Sequence, residues 1–330
     1  MKQFEKWFAI AIQVAGLLAM TCASSNAQVY PAKPVSWVVP YPAGGPADVI
    51  ARTIAPRMAQ ELGQPVLVEN LGGVGGALAA QRVLNAPADG HAILQGSPNE
   101  VILAPLARAA VKLRLEDFVL ISPATNNPLV LLARKDLPAT TLDEFAALVR
   151  SPGARPLSYG SVGVGSMFHL AAEDLAARIG GKVAHVPYSG GSPLVQDLGG
   201  GNIDFALLPF TVSYAGFADA GRLKILAVAS SHRLVQLKGV PTFKEGRVAG
   251  DYEAGAWAGP MVRRGTPPAV LERLRSALLT TLADPQVRAT LEASGSQVSD
   301  VLRLEDSAGF LAAEAERYRT LARRLGVQPE

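Results

Sequence analysis

Along this chain, short apolar runs bounded by Gly, Pro and Asn alternate with stretches whose apolar residues recur at helical spacing, which predicts βαβ units. Residues 36–41 read as a strand, 46–62 as a helix opened by Pro46 and closed by Gly63, 66–69 as a strand, 76–84 as a helix and 92–95 as a third strand. The pattern then restarts with strand 157–159, helix 166–179, strand 183–186, helix 193–198 and strand 205–208. Two similar cassettes predict two similar α/β lobes. Between them, 127–134 reads as an extended crossing segment, and Thr141 with Glu144 predicts a capping box opening a helix over 142–149. A return crossing is expected between 224 and 261, where 224–229 and 256–262 read as strands. Helices over 267–282 and 304–325, charged on one face, are expected to pack back on the first lobe. The resulting division is 28–124 for the first part of lobe 1, 125–230 for lobe 2, and 231–330 for the return crossing and C-terminal helices.

The first residues follow a different logic. Lys2 and Lys6 precede an apolar run over 7–20, and small and polar residues follow as far as Ala27. That order predicts a secretory signal peptide over 1–27 and a periplasmic mature chain. The run is too short for a membrane span, and no later stretch is long and apolar enough for one. The only cysteine, Cys22, lies in this leader, and the residues before it fit lipid attachment poorly, which leaves lipidation a minor alternative. The rest of the chain has no thiolate for a disulfide or a metal.

At 330 residues, 49% hydrophobic and 18% charged, the composition is globular. Removing Lys2, Glu5 and Lys6 takes the formal charge from +3 to +2, too mild a balance for a nucleic-acid partner.

The most informative segment joins the first strand to the first helix: Tyr41, Pro42, Ala43, Gly44, Gly45, Pro46, Ala47 and Asp48. Two glycines let the backbone turn, and free N–H groups at the helix start, with the positive end of its dipole, suit a carboxylate. An ordinary βα turn has the same residues, but the second cassette repeats the arrangement in Tyr159, Gly160, Ser161, Val162, Gly163, Val164, Gly165 and Ser166. Two glycine-rich helix starts facing each other across a cleft would grip one anion. Asp48 in a first helical turn suits a capping role, and His169, one turn into the second helix, is by itself more often a packed structural residue. Gly72, Gly73, Val74, Gly75 and Gly76 read mainly as a turn, while Ser97 and Asn99 offer a hydroxyl and an amide to the same cleft.

No nucleophile elbow, Walker A loop or HExxH motif is present, and Leu78 and Phe168 stand where a dinucleotide fingerprint needs its third glycine. The four histidines are scattered without ligand spacing, so neither metal nor cofactor is expected. A hydrolase using Ser161 or Ser166 with His169 is a weaker alternative, since Ser166 and His169 share one helix and Ser166 suits a helix cap.

These residues resemble the Bug family, the substrate-binding receptors of tripartite tricarboxylate transporters, over essentially the whole mature chain. The markers run from Tyr30-Pro31-Ala32-Lys33-Pro34 and Val39-Pro40-Tyr41-Pro42-Ala43-Gly44-Gly45 with Asp48, through Val68-Glu69-Asn70 and Asp89-Gly90. They continue with Tyr159-Gly160-Ser161, Gly163, Gly165-Ser166, His169-Leu170, Val186-Pro187-Tyr188, Trp257 and Gly265-Thr266-Pro267. The resemblance implies a two-lobed type II periplasmic binding protein, a Venus flytrap acting as a monomer and not an enzyme. It implies a dicarboxylate, amino acid or aromatic carboxylate held on the loop 42–46, with Ser161, Gly165, Ser166 and His169 opposite, Ser97 and Asp204 nearby, and Gly163, Asn99 and Tyr188 completing the site. The implied partner is a membrane permease of a tripartite transporter or, alternatively, a sensor kinase. Ser189, where the family usually carries lysine, departs from the pattern.

Overall fold

The structure, a computed structural model, describes residues 30–327 apart from 152 and 154; the expected leader and Cys22 lie outside the described residues. The first cassette is β1 (Val35–Val39), α1 (Pro46–Leu62), β2 (Val66–Asn70), α2 (Ala77–Leu84) and β3 (Ala92–Gly96). A buried π-helical turn, Asn99–Leu103, leads into α3 (Ala104–Ala107), then β4 (Phe118–Leu120), the long β5 (Thr125–Arg134) and α4 (Leu142–Arg150). The second cassette is β6 (Leu157–Ser161), α5 (Met167–Ile179), β7 (Val183–Pro187), α6 (Gly191–Gly200) and β8 (Phe205–Pro209). After it come α7 (Val212–Asp219), β9 (Leu223–Val228), β10 (Gly255–Arg263), α8 (Pro268–Ala283), α9 (Pro285–Ser294), β11 (Gln297–Val298) and α10 (Leu304–Arg324).

Strands follow one another in the order β2-β1-β3-β10-β5-β8-β6-β7. At one end β1 lies between β2 and β3, and at the other β6 lies between β7 and β8, all parallel. The middle is antiparallel: β10 pairs with β3 and β5, and β5 with β8 and β9. Two parallel α/β lobes are thus joined by two crossing strands, as the restarted pattern predicted. In each lobe the first strand is central, so the chain leaves it at the point where strand order reverses. A crevice outside the carboxyl ends of the strands forms there. β1 presents Trp37, Val38 and Val39 buried on both faces, as a central parallel strand requires.

Local chemistry explains the helix ends. α1 starts at N-cap Gly45 with Pro46 behind it and stops at Gly63, which takes the left-handed conformation (φ 75°). The Thr141–Glu144 capping box opens α4 as expected: Glu144 N–H donates to Thr141 Oγ1, and Thr141 N–H donates to the Glu144 carboxylate. α10 reaches further than expected. It packs against β4 and α8, and also reaches the second lobe, where Arg324 pairs with Asp174 of α5.

Asp204 serves this fold and does not face the crevice. Its buried carboxylate accepts from Arg134 Nε (2.9 Å), Arg155 Nη1 (2.8 Å) and Ser158 N–H and Oγ (2.8 and 2.9 Å). Burial alone would raise its pKa, but the Arg155, Ser158 and Arg134 bonds outweigh that and pull it down to about 2. The group therefore adds stability that is present at neutral pH and lost as pH falls below the ordinary carboxylate range towards 2. Asp204→Ala is expected to cost roughly 2–3 kcal/mol at pH 7, tempered by the exposure of Arg155, and much less at pH 3. Urea melts at the two pH values check this; an equal loss at both would show that packing, not charge, is responsible.

Candidate functional site

Helix starts from both lobes converge on a central cavity of about 90 Å³, room for a few water-sized groups. From lobe 1, Tyr41, Pro42, Gly45, Pro46 and Ala47 bring the α1 start, and Ser97 and Asn99 come from the turn after β3. From the second lobe, Val162, Met167 and Phe168 bring the α5 start, Gly191 and Ser192 the α6 start, and Leu208, Pro209 and Tyr214 the turn after β8. The crossing strands supply the floor with Asn127, Ala256, Trp257 and Ala258. Among the described residues, no Lys, Arg, Asp or Glu lines this cavity. A carboxylate placed in it would rely on helix dipoles, backbone N–H groups and neutral side chains.

The α1 start leaves its first backbone donors without side-chain caps. N-cap Gly45 has no side-chain cap bond, and the first backbone hydrogen bond of the helix runs from Val49 N–H to Gly45 O. The N–H groups of Ala47 and Asp48 precede it and have no carbonyl one turn back to bond. Asp48 does not enter the cavity. Buried beneath the turn, its carboxylate accepts from Gly44 N–H (2.9 Å), Arg52 Nε and Asn70 Nδ2. Those bonds overcome the effect of burial and hold its pKa below the usual value. Asp48 thus fixes the turn, the capping role expected of it. Ala43 is exposed, and Gly44 lines a flanking space of about 310 Å³ between α1 and α6.

The second glycine-rich turn does something else. Gly163 N–H donates to Ser161 Oγ, Gly165 N–H to His169 Nδ1, Ser166 N–H to Gly163 O, and Ser166 Oγ caps α5 by accepting from His169 N–H. Met167 N–H donates to Asn99 Oδ1 (2.8 Å), a bond from one lobe to the other. These donors are taken by the protein itself, so Ser161, Gly165, Ser166 and His169 do not line the central cavity. Gly165 serves close approach instead: a Cβ there would lie 1.9 Å from Ala107 Cβ, and its φ is 74°. Ser161 Oγ lies 2.6 Å from Nε2 of His185, not from His169, and the two imidazoles stack at 4.3 Å. Burial and the neighbouring His169 lower His185 to about 4. Gly163 and Tyr188 line a further space of about 530 Å³, beside Gly72–Gly76 and Arg108.

Sequence reasoning passed over Glu100, the polar centre of the site. It is fully buried, accepting from Tyr41 Oη (2.6 Å) and from Ser97 N–H and Oγ (2.7 Å each). Tyr41 Oη in turn accepts from Asn99 Nδ2 (2.9 Å). A hydrogen-bonded chain therefore runs from Glu100 through Tyr41 and Asn99 to the α5 start of the opposite lobe. Burial pushes Glu100 up to about 7, and burial with the Glu100 charge pushes Tyr41 well above its ordinary value. A Cβ at Gly76 (φ 91°) would lie 2.4 Å from Glu100 Cγ, so glycine makes room for the carboxyl. Asn127, Ser192, Tyr214 and Trp257 were also passed over; an amide in an otherwise apolar crossing strand was the one available signal.

Glu100 ionises near 4.5 when unfolded and near 7 when folded. Between these values the unfolded state holds fewer protons, so stability falls as pH rises, by on the order of 3 kcal/mol across the window. His185 acts in the opposite sense between about 4 and 6.5. Glu100→Gln is expected to remove the falling component. Melting temperatures of both proteins from pH 4.5 to 8 check it, and parallel curves would assign the falling component to another group.

Comparisons with known proteins find relatives in both sequence and fold. The profile of the tripartite tricarboxylate transporter family receptor matches residues 50–327. Protein BugT of Bordetella pertussis is 33% identical over 328 residues, 97% of this chain and 96% of its own length. Among solved structures, R. palustris Rpa4515 with adipate is 28% identical with a TM-score of 0.84, over 91% of this chain and all of that one. MatC from Rhodopseudomonas palustris with bound malate is 32% identical with a TM-score of 0.78, over 88% of this chain and 99% of that one.

Proposed function

The chain belongs to the tripartite tricarboxylate transporter receptor family, the Bug proteins, and we propose that it captures a small organic carboxylate between its lobes for the membrane subunits of such a transporter. As a member of a family of periplasmic solute-binding receptors it is a binding protein and not an enzyme. The observation that carries the ligand class is the α1 start: a turn without side-chain caps, opening into a cavity that both lobes close and that no charged side chain lines. A carboxylate there meets the N–H groups of the first helical turn and the positive end of the dipole. The relatives bound to adipate and malate support this class of ligand.

Capture works by population shift. A ligand touching both lobes stabilises the closed arrangement by the difference between its affinities for closed and open forms. The Asn99–Met167 bond and the close approach of Gly165 to Ala107 join the lobes, so they favour the closed arrangement with or without ligand and reduce the shift the ligand must supply.

A thermal-shift panel of dicarboxylates, tricarboxylates, amino acids and aromatic carboxylates tests the reading. A ligand at a hundred times its dissociation constant adds about 2.7 kcal/mol, expected as a rise of several degrees with one carboxylate class. No rise with any acid, after unfolding and refolding to remove carried-over ligand, would count against it. Gly45→Asp locates the site. A Cβ there meets only Pro42 O at 3.5 Å, so the fold tolerates it while a negative charge enters the cavity. At least about a tenfold loss of affinity is expected by calorimetry, equivalent to about 1.4 kcal/mol; unchanged affinity would move the carboxylate elsewhere.

A further inference from the structure

The glycine-rich segment Gly72–Gly76 found no role in the central cavity. It walls the adjoining crevice of about 530 Å³, which shares Tyr41, Pro42 and Val162 with that cavity. One charged side chain lines the crevice, Arg108, at the end of α3. The residue is half-buried, and among the described residues its guanidinium has neither a hydrogen bond nor an ion pair. Nη2 points across the lobe boundary and lies 3.4 Å from where a Cβ on Gly163 would stand. Among the described residues, no acidic side chain lines the crevice to neutralise it, and Ser189 on the far wall adds a hydroxyl but no charge.

An arginine is charged at every pH of interest, and a partly desolvated, unpaired guanidinium is costly to hold. A carboxylate offsets that cost, because the planar fork accommodates both oxygens. Gly72, Gly73, Gly75 and Gly76 on one wall and Gly163 on the other add no side chain to the crevice around it.

We propose that Arg108 forms a second carboxylate subsite beside the central cavity, which makes this receptor selective for dicarboxylates over monocarboxylates. This rests on the carboxylate reading of the central cavity and deepens it: one carboxylate sits at the α1 start, and the other reaches past Tyr41 and Val162 to Arg108. Because Arg108 belongs to the first lobe and Gly163 to the second, an anion held between them favours the closed form.

Calorimetry with two matched pairs, adipate against hexanoate and succinate against butyrate, tests the proposal on wild type, Arg108→Gln and Arg108→Lys. The wild type is expected to bind at least one diacid about tenfold or more tighter than its monoacid, as a charge-assisted hydrogen bond implies. Arg108→Gln should abolish that preference by weakening the diacid while leaving the monoacid within about twofold, and Arg108→Lys should retain part of it. Since among the described residues the Arg108 side chain bonds nothing, Arg108→Lys should melt like the wild type without ligand and Arg108→Gln no lower than it. Equal wild-type affinity for the members of each pair would overturn the subsite. An equal loss for both acids in Arg108→Gln would overturn it too, showing only a general field. If no acid of either pair binds, while the broader panel finds a carboxylate that does, the dicarboxylate subsite falls and the carboxylate reading stands; if the panel also fails, both fall.

Discussion

Everything in the cleft depends on the antiparallel pairing of β5 with β10, which runs from Gly255 opposite Pro128 to Ala258 opposite Thr125. These two strands carry the chain out of one lobe and back into it, and each also pairs with the lobes' own sheets, β10 with β3 and β5 with β8. The hydrogen-bonded ladder therefore continues through the junction. Its register sets Asn127 beside Ala256 on the cavity floor, between the helix starts of the two lobes. A one-residue slip would turn those side chains to the other face.

Given that floor, polarity is distributed in layers. The central cavity is walled by neutral groups, with Tyr41 and Asn99 already bonded to Glu100 and Met167. Charge lies outside it: Asp48 under the α1 turn with Arg52, Glu100 behind Tyr41, Arg108 in one flanking space and Arg222 in the other. An apolar wall raises the strength of each remaining interaction with an anion, because field lines are not screened there. It also penalises a badly placed group, so a few contacts decide selectivity.

The cassettes were legible because each strand–turn–helix unit carries its own local signals: Pro46 and Gly63 at the ends of α1, Thr141 with Glu144 at α4, and Ser166 before α5. The α1 start as a cavity-lining element was legible for the same reason. What was hidden depends on contacts between residues far apart in sequence. Glu100 sits in an apolar π-helical turn, and only its meeting with Tyr41, 59 residues away, makes it a site residue. Asn99 looked like a free amide, yet closure gives it to Met167, which is why the second glycine-rich turn does not mirror the first. α9 was passed over although Asp284 caps it by accepting from Gln286 and Val287 N–H; its polar exposed face carries little periodic signal. The second-lobe role of α10 rests on Arg324 meeting Asp174, 150 residues earlier.

The difference between the two glycine-rich turns also fixes how the lobes divide their work. At α1 a buried aspartate holds the turn by accepting from Gly44 N–H, and the N–H groups of Ala47 and Asp48 have no helical carbonyl one turn back to bond. At α5 the corresponding donors are taken by Ser161, His169 and Asn99, and Gly165 is pressed against Ala107. On the proposed reading, one turn meets a ligand and the other meets the opposite lobe. A symmetric pair of anion-binding turns would hold the ligand equally from both sides but leave the lobes without direct contact. On the proposed reading, an anion at α1 and the Asn99–Met167 bond favour the same closed state, the first only when ligand is present and the second with or without it.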